Sequence, residues 1–199
     1  MGRHIGPRTR VCRRLHFLVF DNTGVEKAYI KRETVRQPRR LSEYGRRLQE
    51  KQKVMYYYGM RERQMRRFFE IARRQPGNTG KHFLALCERR LDHVVYAAGF
   101  APTHASARQL VAHGHVRVNG RKVDVASALV NSGDTVTFAD NAHVKKMVQA
   151  NLERKSGYEP PDWIAIDPQT QTAKIVRLPQ RDDVRLPVNE QFVVEFYSR

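Results

Sequence analysis

Asn119-Gly120, set between Val116-Arg117-Val118 and Arg121-Lys122-Val123, is the segment that most limits what this chain can fold into. A type I′ turn needs positive φ at both central residues, and Asn followed by Gly supplies it at little steric cost. The flanking runs are therefore read as a two-residue β-hairpin. Upstream, Phe83, Leu84, Cys87, Leu91, Val94 and Val95 form an apolar stripe, which predicts one helix from a Thr79 cap to Gly99-Phe100. Thr103 then caps a short helix to about Ala112. Residues 90–124 thus read as helix, short helix and hairpin, with Arg108, His113, His115, Arg117 and Arg121 gathered at the joints. No nucleophile or metal cluster lies among them. A small rigid frame that presents cations without catalytic groups suits a folded polyanion.

The charge balance points the same way. The 199 residues hold 37 Lys and Arg against 20 Asp and Glu, a formal +17. Residues 1–90 hold 24 Lys/Arg and 8 Asp/Glu, whereas residues 91–199 hold 13 and 12, so the excess sits almost wholly in the first half. Solvated helix faces normally balance their signs, but RTRVCRR, RQPRR, YGRRLQEKQK and RERQMRR recur with few compensating acids. Such asymmetry favours a nucleic-acid partner. A membrane is disfavoured, because no apolar run approaches the roughly 20 residues needed to span a bilayer. The basic N-terminus lacks an apolar run behind it and does not read as a secretory signal. Cys12 and Cys87 are accordingly expected to be thiols of a cytoplasmic protein.

Residues 1–41 show no sustained periodicity and are interrupted by Gly2, Gly6, Pro7, Gly24 and Pro38. The expectation is a basic arm that orders on its partner rather than an independent core. Leu41, Tyr44, Leu48, Met55 and Tyr58 then share one face of a helix that Gly59 ends. A second helix, about Arg61 to Gln75, buries Met65, Phe68, Phe69 and Ala72 and stops at Pro76-Gly77. After the hairpin come a turn at Asn131 to Asp134, a strand Thr135 to Phe138, and a helix His143 to Lys155 with Val144, Met147, Val148 and Leu152 inward. Two further strands, Trp163 to Ile166 and Lys174 to Leu178, flank the turn Asp167 to Thr172. The run Asn189 to Tyr197 reads either as a β-branched strand or as a capped helix. The fold class is α+β.

Catalytic and metal chemistry find little support. Gly77-Asn78-Thr79-Gly80-Lys81 has two residues between its glycines and His82 after the Lys, whereas a phosphate-binding loop needs four and a Ser or Thr. His113-Gly114-His115, even with His104, lacks the ligand count and thiolates of a zinc site. Cys12 has no CxxC partner, and Asp182-Asp183, Glu190 and Glu195 read as surface acids or caps. Consecutive Tyr56, Tyr57 and Tyr58 point in different directions on a helix, which favours core packing over a base-stacking platform.

Arg90-Leu91-Asp92, Gly99-Phe100-Ala101, Ala107-Arg108-Gln109-Leu110-Val111, His113-Gly114-His115 and Val118-Asn119-Gly120 together resemble the S-four RNA-binding module. Before it, LSEYGRRLQEKQKVMYYYGMRERQMRRFFEIA is similar to the first domain of the bacterial small-subunit ribosomal protein four family. After it, RLPQRDD and VNEQFVVEFYSR are similar to that family's C-terminus. The resemblance runs in order along essentially the whole chain. It implies a basic arm at 1–41, a helical rRNA-binding domain at 42–90 completed by 180–199, and an S-four-type module at 91–179. It also implies that Asn189 to Tyr197 returns to the helical domain as a helix. The single Cys12 matches the family's zinc-free form, so no cofactor or metal is expected. Thr103-His104 stands where the module usually has Ser-Arg, and Ala97 and Met55 stand where an Arg is common.

The family's role implies a non-enzymatic primary binder of small-subunit (16S) rRNA that nucleates assembly of the subunit body. Proteins five and twelve would be its neighbours, with an influence on decoding accuracy, and mRNA binding for autoregulation is a further expectation. Candidate RNA-binding residues are Arg3, Arg8, Arg13 and Arg14 in the arm, and Tyr44, Arg46, Arg47, Lys51, Lys53, Arg63, Arg66 and Arg67 in the helical domain. In the module they are Thr103, His104, Arg108, Gln109, His113, His115, Arg117 and Arg121. RNA-modifying and aminoacylating enzymes also carry this module, but the 89 residues before residue 90 and the 75 after residue 124 show no catalytic signature.

Overall fold

Left-handed glycines and short polar caps cut the chain into brief helices, which a computed structural model describes over residues 6–20, 23–33, 41–154 and 157–198. In chain order the helices and strands begin with α1 (Arg8–Leu15), α2 (Thr23–Glu33), α3 (Glu43–Tyr57), α4 (Glu62–Arg73), α5 (Thr79–Glu88), α6 (Leu91–Ala97) and α7 (His104–Ala112). They continue with β1 (Val116–Val118), β2 (Arg121–Lys122), β3 (Thr135–Phe138), α8 (Ala142–Arg154), β4 (Ile164–Asp167), β5 (Thr172–Ile175) and α9 (Glu190–Tyr197). The chain divides into two units, Met1–Leu84 with Leu186–Arg199, and Ala85–Arg185. The architecture is α+β.

In the first unit, the Ser42 hydroxyl caps α3 by accepting from the Gly45 amide at 3.2 Å, and Gly59 at φ +59° stops the chain just beyond it. The inward face of α3 differs from the expected stripe. Leu41 and Tyr44 are 41% and 57% exposed and the buried positions of α3 are Lys51 and Val54, while Tyr58 just beyond it is buried as expected. In α4 the expected face holds, with Met65, Phe68, Phe69 and Ala72 buried. Asn78 rather than Thr79 caps α5, its side-chain oxygen accepting from the Lys81 amide at 3.1 Å. The run Asn189 to Tyr197 is a helix, with the Asn189 side chain accepting from the Gln191 amide at 3.0 Å.

Residues 6–20 and 23–33 correct the expectation of an arm without a core. Val11, Cys12, Leu15, Val19 and Tyr29 are buried together, with Phe17, Leu18, Phe20, Val25, Tyr56 and Tyr57 packed against them. Positions 11, 12 and 15 share one face of α1, but so short a period does not stand out from the surrounding arginines. His16 ends α1 in the left-handed region at φ 49°. Tyr58 is buried and Tyr56 and Tyr57 are half-buried, as the core reading of the three tyrosines expected.

The second unit is a five-stranded antiparallel sheet in the order β2-β1-β3-β5-β4, with helices around one apolar core. Asn119 and Gly120 take φ 51° and 79°, and the hairpin pairs Arg117 with Lys122 and Val118 with Arg121. Alternation sends Val116, Val136, Ala173, Ile175 and Ile164 into the core and Arg117, Lys122 and Lys174 outward. Trp163, fully buried beside them, lies just before β4 rather than in it. The helix expected from Thr79 to Gly99 is two helices. Arg89 and Arg90 interrupt it, and Arg90 makes a β-bridge with Leu129 while Leu91 donates to the Ala128 carbonyl at 2.8 Å. Cys87 is buried in this unit, and burial pushes its thiol well above its ordinary range.

Candidate nucleic-acid interface

Because Met65, Phe68, Phe69 and Ala72 turn inward, the remaining faces of α4 carry Arg63, Arg66 and Arg67 into solvent. Arg46 is likewise exposed on α3. Among the described residues, Arg46, Arg63 and Arg67 make no ion pair, and Arg66 lies 3.5 Å from Glu62 with its side chain 72% exposed. Four guanidinium groups are thus available to an external anion.

The other basic residues expected on these helices have internal partners. Arg47 Nε donates to Glu195 Oε2 at 2.6 Å and its Nη2 to Glu43 at 3.3 Å, joining α3 to α9. The hydrogen bond to Glu195 is the main cause that holds the Arg47 guanidinium above its ordinary value. Lys53 lies 2.5 Å from Glu50, and Glu50 also accepts from the Asn189 amide at 2.9 Å. Lys51 is buried, with its ammonium 2.8 Å from Glu62 and 4.4 Å from the Phe196 ring centroid. Burial raises the Glu62 carboxyl, but hydrogen bonds and charge from Lys51, with the Tyr197 hydroxyl at 3.1 Å, outweigh it and leave it below its ordinary value. Lys51 is therefore an internal tie in this fold, as a buried ammonium must be paired.

The arm cations sit on aromatic rings. Arg8 lies 5.7 Å from the Phe20 centroid and Arg14 5.9 Å from that of Tyr56, whose hydroxyl accepts from Arg14 at 3.2 Å. Arg13 donates to the Thr9 carbonyl at 3.4 Å. Arg3 falls outside the described residues.

In the second unit, Arg90 donates Nε to Asp92 Oδ1 at 3.0 Å and Nη2 to Oδ2 at 2.6 Å. Arg108 reaches the same Oδ2 at 3.3 Å, so one carboxylate gathers two arginines. His93 lies 2.7 Å from Glu88 through Nε2 and 3.0 Å from His104 Nε2 through Nδ1. The His104 ring stacks on Tyr96 at 3.7 Å, so one of its nitrogens and one of its faces are taken up internally. Thr103 Oγ1 accepts from the Ser106 amide at 3.2 Å, which makes it the cap of α7. Gln109, His113, Arg117 and Arg121 are exposed and His115 is half-exposed. The His113 and His115 rings lie 6.0 Å apart, and Arg117 donates to the Gly120 carbonyl at 3.2 Å across its own turn.

Residues 3–88 match the ribosomal protein S4/S9 N-terminal domain, and residues 89–136 match the S4 domain. Small ribosomal subunit protein uS4 of Thermus thermophilus is 44% identical over 218 residues, covering all of both chains. The chain belongs to the uS4 family. The uS4 proteins of Persephonella marina and Opitutus terrae are 44% and 43% identical over 207 and 205 residues, again over the full length of each.

A further cation, Lys122, stands at the hairpin end. Lys122 lies on the outward side of β2 opposite Arg117, and its side chain crosses Gly114, where an added Cβ would meet Lys122 Cε at 2.2 Å. The signal was present in Gly114 between two histidines, since a glycine there admits another side chain against the backbone. The hairpin end thus gathers His113, His115, Arg117 and Lys122. Among the described residues, no group of three or more His, Cys, Asp or Glu could hold a metal ion.

Proposed function

We propose that this protein is a structural constituent of the small ribosomal subunit that binds 16S rRNA directly and nucleates assembly of the subunit body. The observation that carries the reading is the set of exposed arginines on α3 and α4, Arg46, Arg63, Arg66 and Arg67, in a chain half with a strong basic excess. Each phosphate neutralised by such a group releases condensed counterions, which makes binding strong and salt-dependent. Gln109, His113, His115, Arg117, Arg121 and Lys122 form the module's part of the interface. Shape and 2′-hydroxyl patterns would set its specificity, as expected for folded RNA. Lys51 drops out of the interface, and Arg47 and Lys53 act first in holding α9 on α3.

In the subunit the protein would sit beside proteins five and twelve and influence decoding accuracy. The same cationic faces would serve translational repression through its own mRNA. The setting is the ribosome in the cytoplasm. Co-sedimentation with small subunits, together with footprinting on naked 16S rRNA, tests the central claim. Protection of naked rRNA by the full chain alone is expected. Binding only after other proteins have assembled would remove the claim of a primary binder.

A further inference from the structure

Tyr44, in the first turn of α3, is the most exposed aromatic side chain of the helical unit, at 57%. Its ring lies 5.9 Å from that of Phe196 on α9, tilted by 36°, and Phe196 meets Tyr197 edge-on at 5.4 Å. The three rings make a row along the α3–α9 seam. The row is held from below. Lys51 Nζ sits 4.4 Å from the Phe196 centroid, and Tyr197 donates to Glu62 at 3.1 Å. Leu41 is 41% exposed and flanks the same turn, its carbons 3.6 Å from where a Cβ on Gly45 would stand.

We infer that Tyr44, backed by Phe196, is a stacking shelf for one unpaired nucleobase of the bound RNA. The inference rests on the rRNA-binding reading and assigns this shelf a different chemistry from the arginines. Three lines support it. Tyr44 is largely exposed, whereas Phe196 is half-buried against Lys51 and Tyr197, so the shelf is assembled before anything binds. Carboxylates of this seam are matched by cations, Glu43 and Glu195 by Arg47 and Glu62 by Lys51, which lessens their repulsion of an RNA strand. Among the described residues, the apolar patch here consists of exposed Leu41 and Tyr44 with half-buried Phe196 behind them. A stable protein contact buries about 800 Å² on each partner, far more than three side chains offer, whereas one base needs one ring face.

The test is equilibrium binding of the full chain to naked 16S rRNA across a salt series, with chemical probing of unpaired nucleotides. Tyr44→Ala should weaken binding by about 5- to 150-fold, the range base stacking contributes. Its salt slope should match the parent's, because no phosphate contact is lost. Tyr44→Phe and Tyr44→Trp should stay within about threefold of the parent. One or two nucleotides protected by the parent should regain reactivity with Tyr44→Ala. Thermal unfolding should be the same for all variants, given the exposure of the ring. Unchanged affinity in Tyr44→Ala overturns the shelf, as does a Tyr44→Phe loss equal to that of Tyr44→Ala, which would make the hydroxyl the contact. Normal RNA affinity with failure of Tyr44→Ala to enter reconstituted subunits would make the ring a protein contact and overturn it equally. Failure of the parent itself to bind naked rRNA would instead overturn the underlying rRNA reading.

Discussion

Arg90 and Asp92 form a two-bond ion pair, 3.0 Å and 2.6 Å long, with the arginine wholly inside the protein. Asp92 also accepts from the His93 amide at 3.0 Å, so its oxygens are well used. The pair closes the break between α5 and α6, where Arg90 bridges to Leu129. Asp92→Asn would leave a buried guanidinium without its counter-charge, which costs about 3–5 kcal/mol. Urea unfolding should show a lower midpoint with an unchanged slope. A loss under about 1 kcal/mol would mean that Arg90 finds another anion.

Acid should unfold the chain through two carboxyls in particular. Asp183 accepts from both Arg177 Nη atoms at 2.6 and 2.8 Å and from the Gln180 amide at 2.7 Å. The Arg177 hydrogen bonding, more than any other cause, holds its carboxyl below the ordinary range. Glu62 is lowered as well, the Lys51 contact overcoming burial. A carboxyl with a lower pKa folded than unfolded adds stability that is present above about pH 4 and lost as pH falls through the folded value. Stability measured by chemical denaturation should thus decline below about pH 4. Asp183→Asn should be less stable at pH 7 and show a shallower acid decline. An identical decline in the variant would remove Asp183 from this account.

Lys51 and Arg63 should behave oppositely despite their equal charge. Lys51→Ala removes the Glu62 pair and the contact with Phe196, and should destabilise the protein by about 1–2 kcal/mol. The salt slope of RNA binding should not change. Arg63→Ala should leave stability within about 0.5 kcal/mol and reduce the salt slope by about one unit. Unfolding curves paired with filter binding at several salt concentrations separate the two. A reduced slope for Lys51→Ala would return it to the interface.

Gly114→Ala should disturb the hairpin end twice over. The residue sits at φ +72°, and an alanine methyl would collide with Lys122 Cε at 2.2 Å. The backbone strain costs about 1–3 kcal/mol, seen as a lower melting temperature. Gly114→Ala combined with Lys122→Ala should recover the part due to the collision and keep the part due to φ. No recovery would show that Lys122 swings away freely.

Much of the fold was legible because it is written locally. The Asn119-Gly120 turn, the α4 core face and the Thr103 cap each depend on residues within one turn or hairpin of one another. The continuous helix from Thr79 to Gly99 was misread because its apolar stripe passes unbroken through Arg89-Arg90. Only the pairing of Arg90 and Leu91 with the 126–129 segment breaks it. The arm was misread in the same way, since the burial of Val11, Cys12 and Leu15 depends in part on Tyr56 and Tyr57 from α3.

The sequence by itself determined the hairpin, the α+β class, the family and the basic half, because turn dihedrals, periodicity and charge are properties of neighbours along the chain. Only the tertiary structure decided which cations are available. Lys51 and Arg90 are as basic in the sequence as Arg46 and Arg63. Glu62 and Phe196 enclose the first and Asp92 neutralises the second, while nothing among the described residues pairs with the other two. Desolvation is the physical reason: a charge removed from water must be matched inside the fold, and only a charge left in water can meet an RNA phosphate.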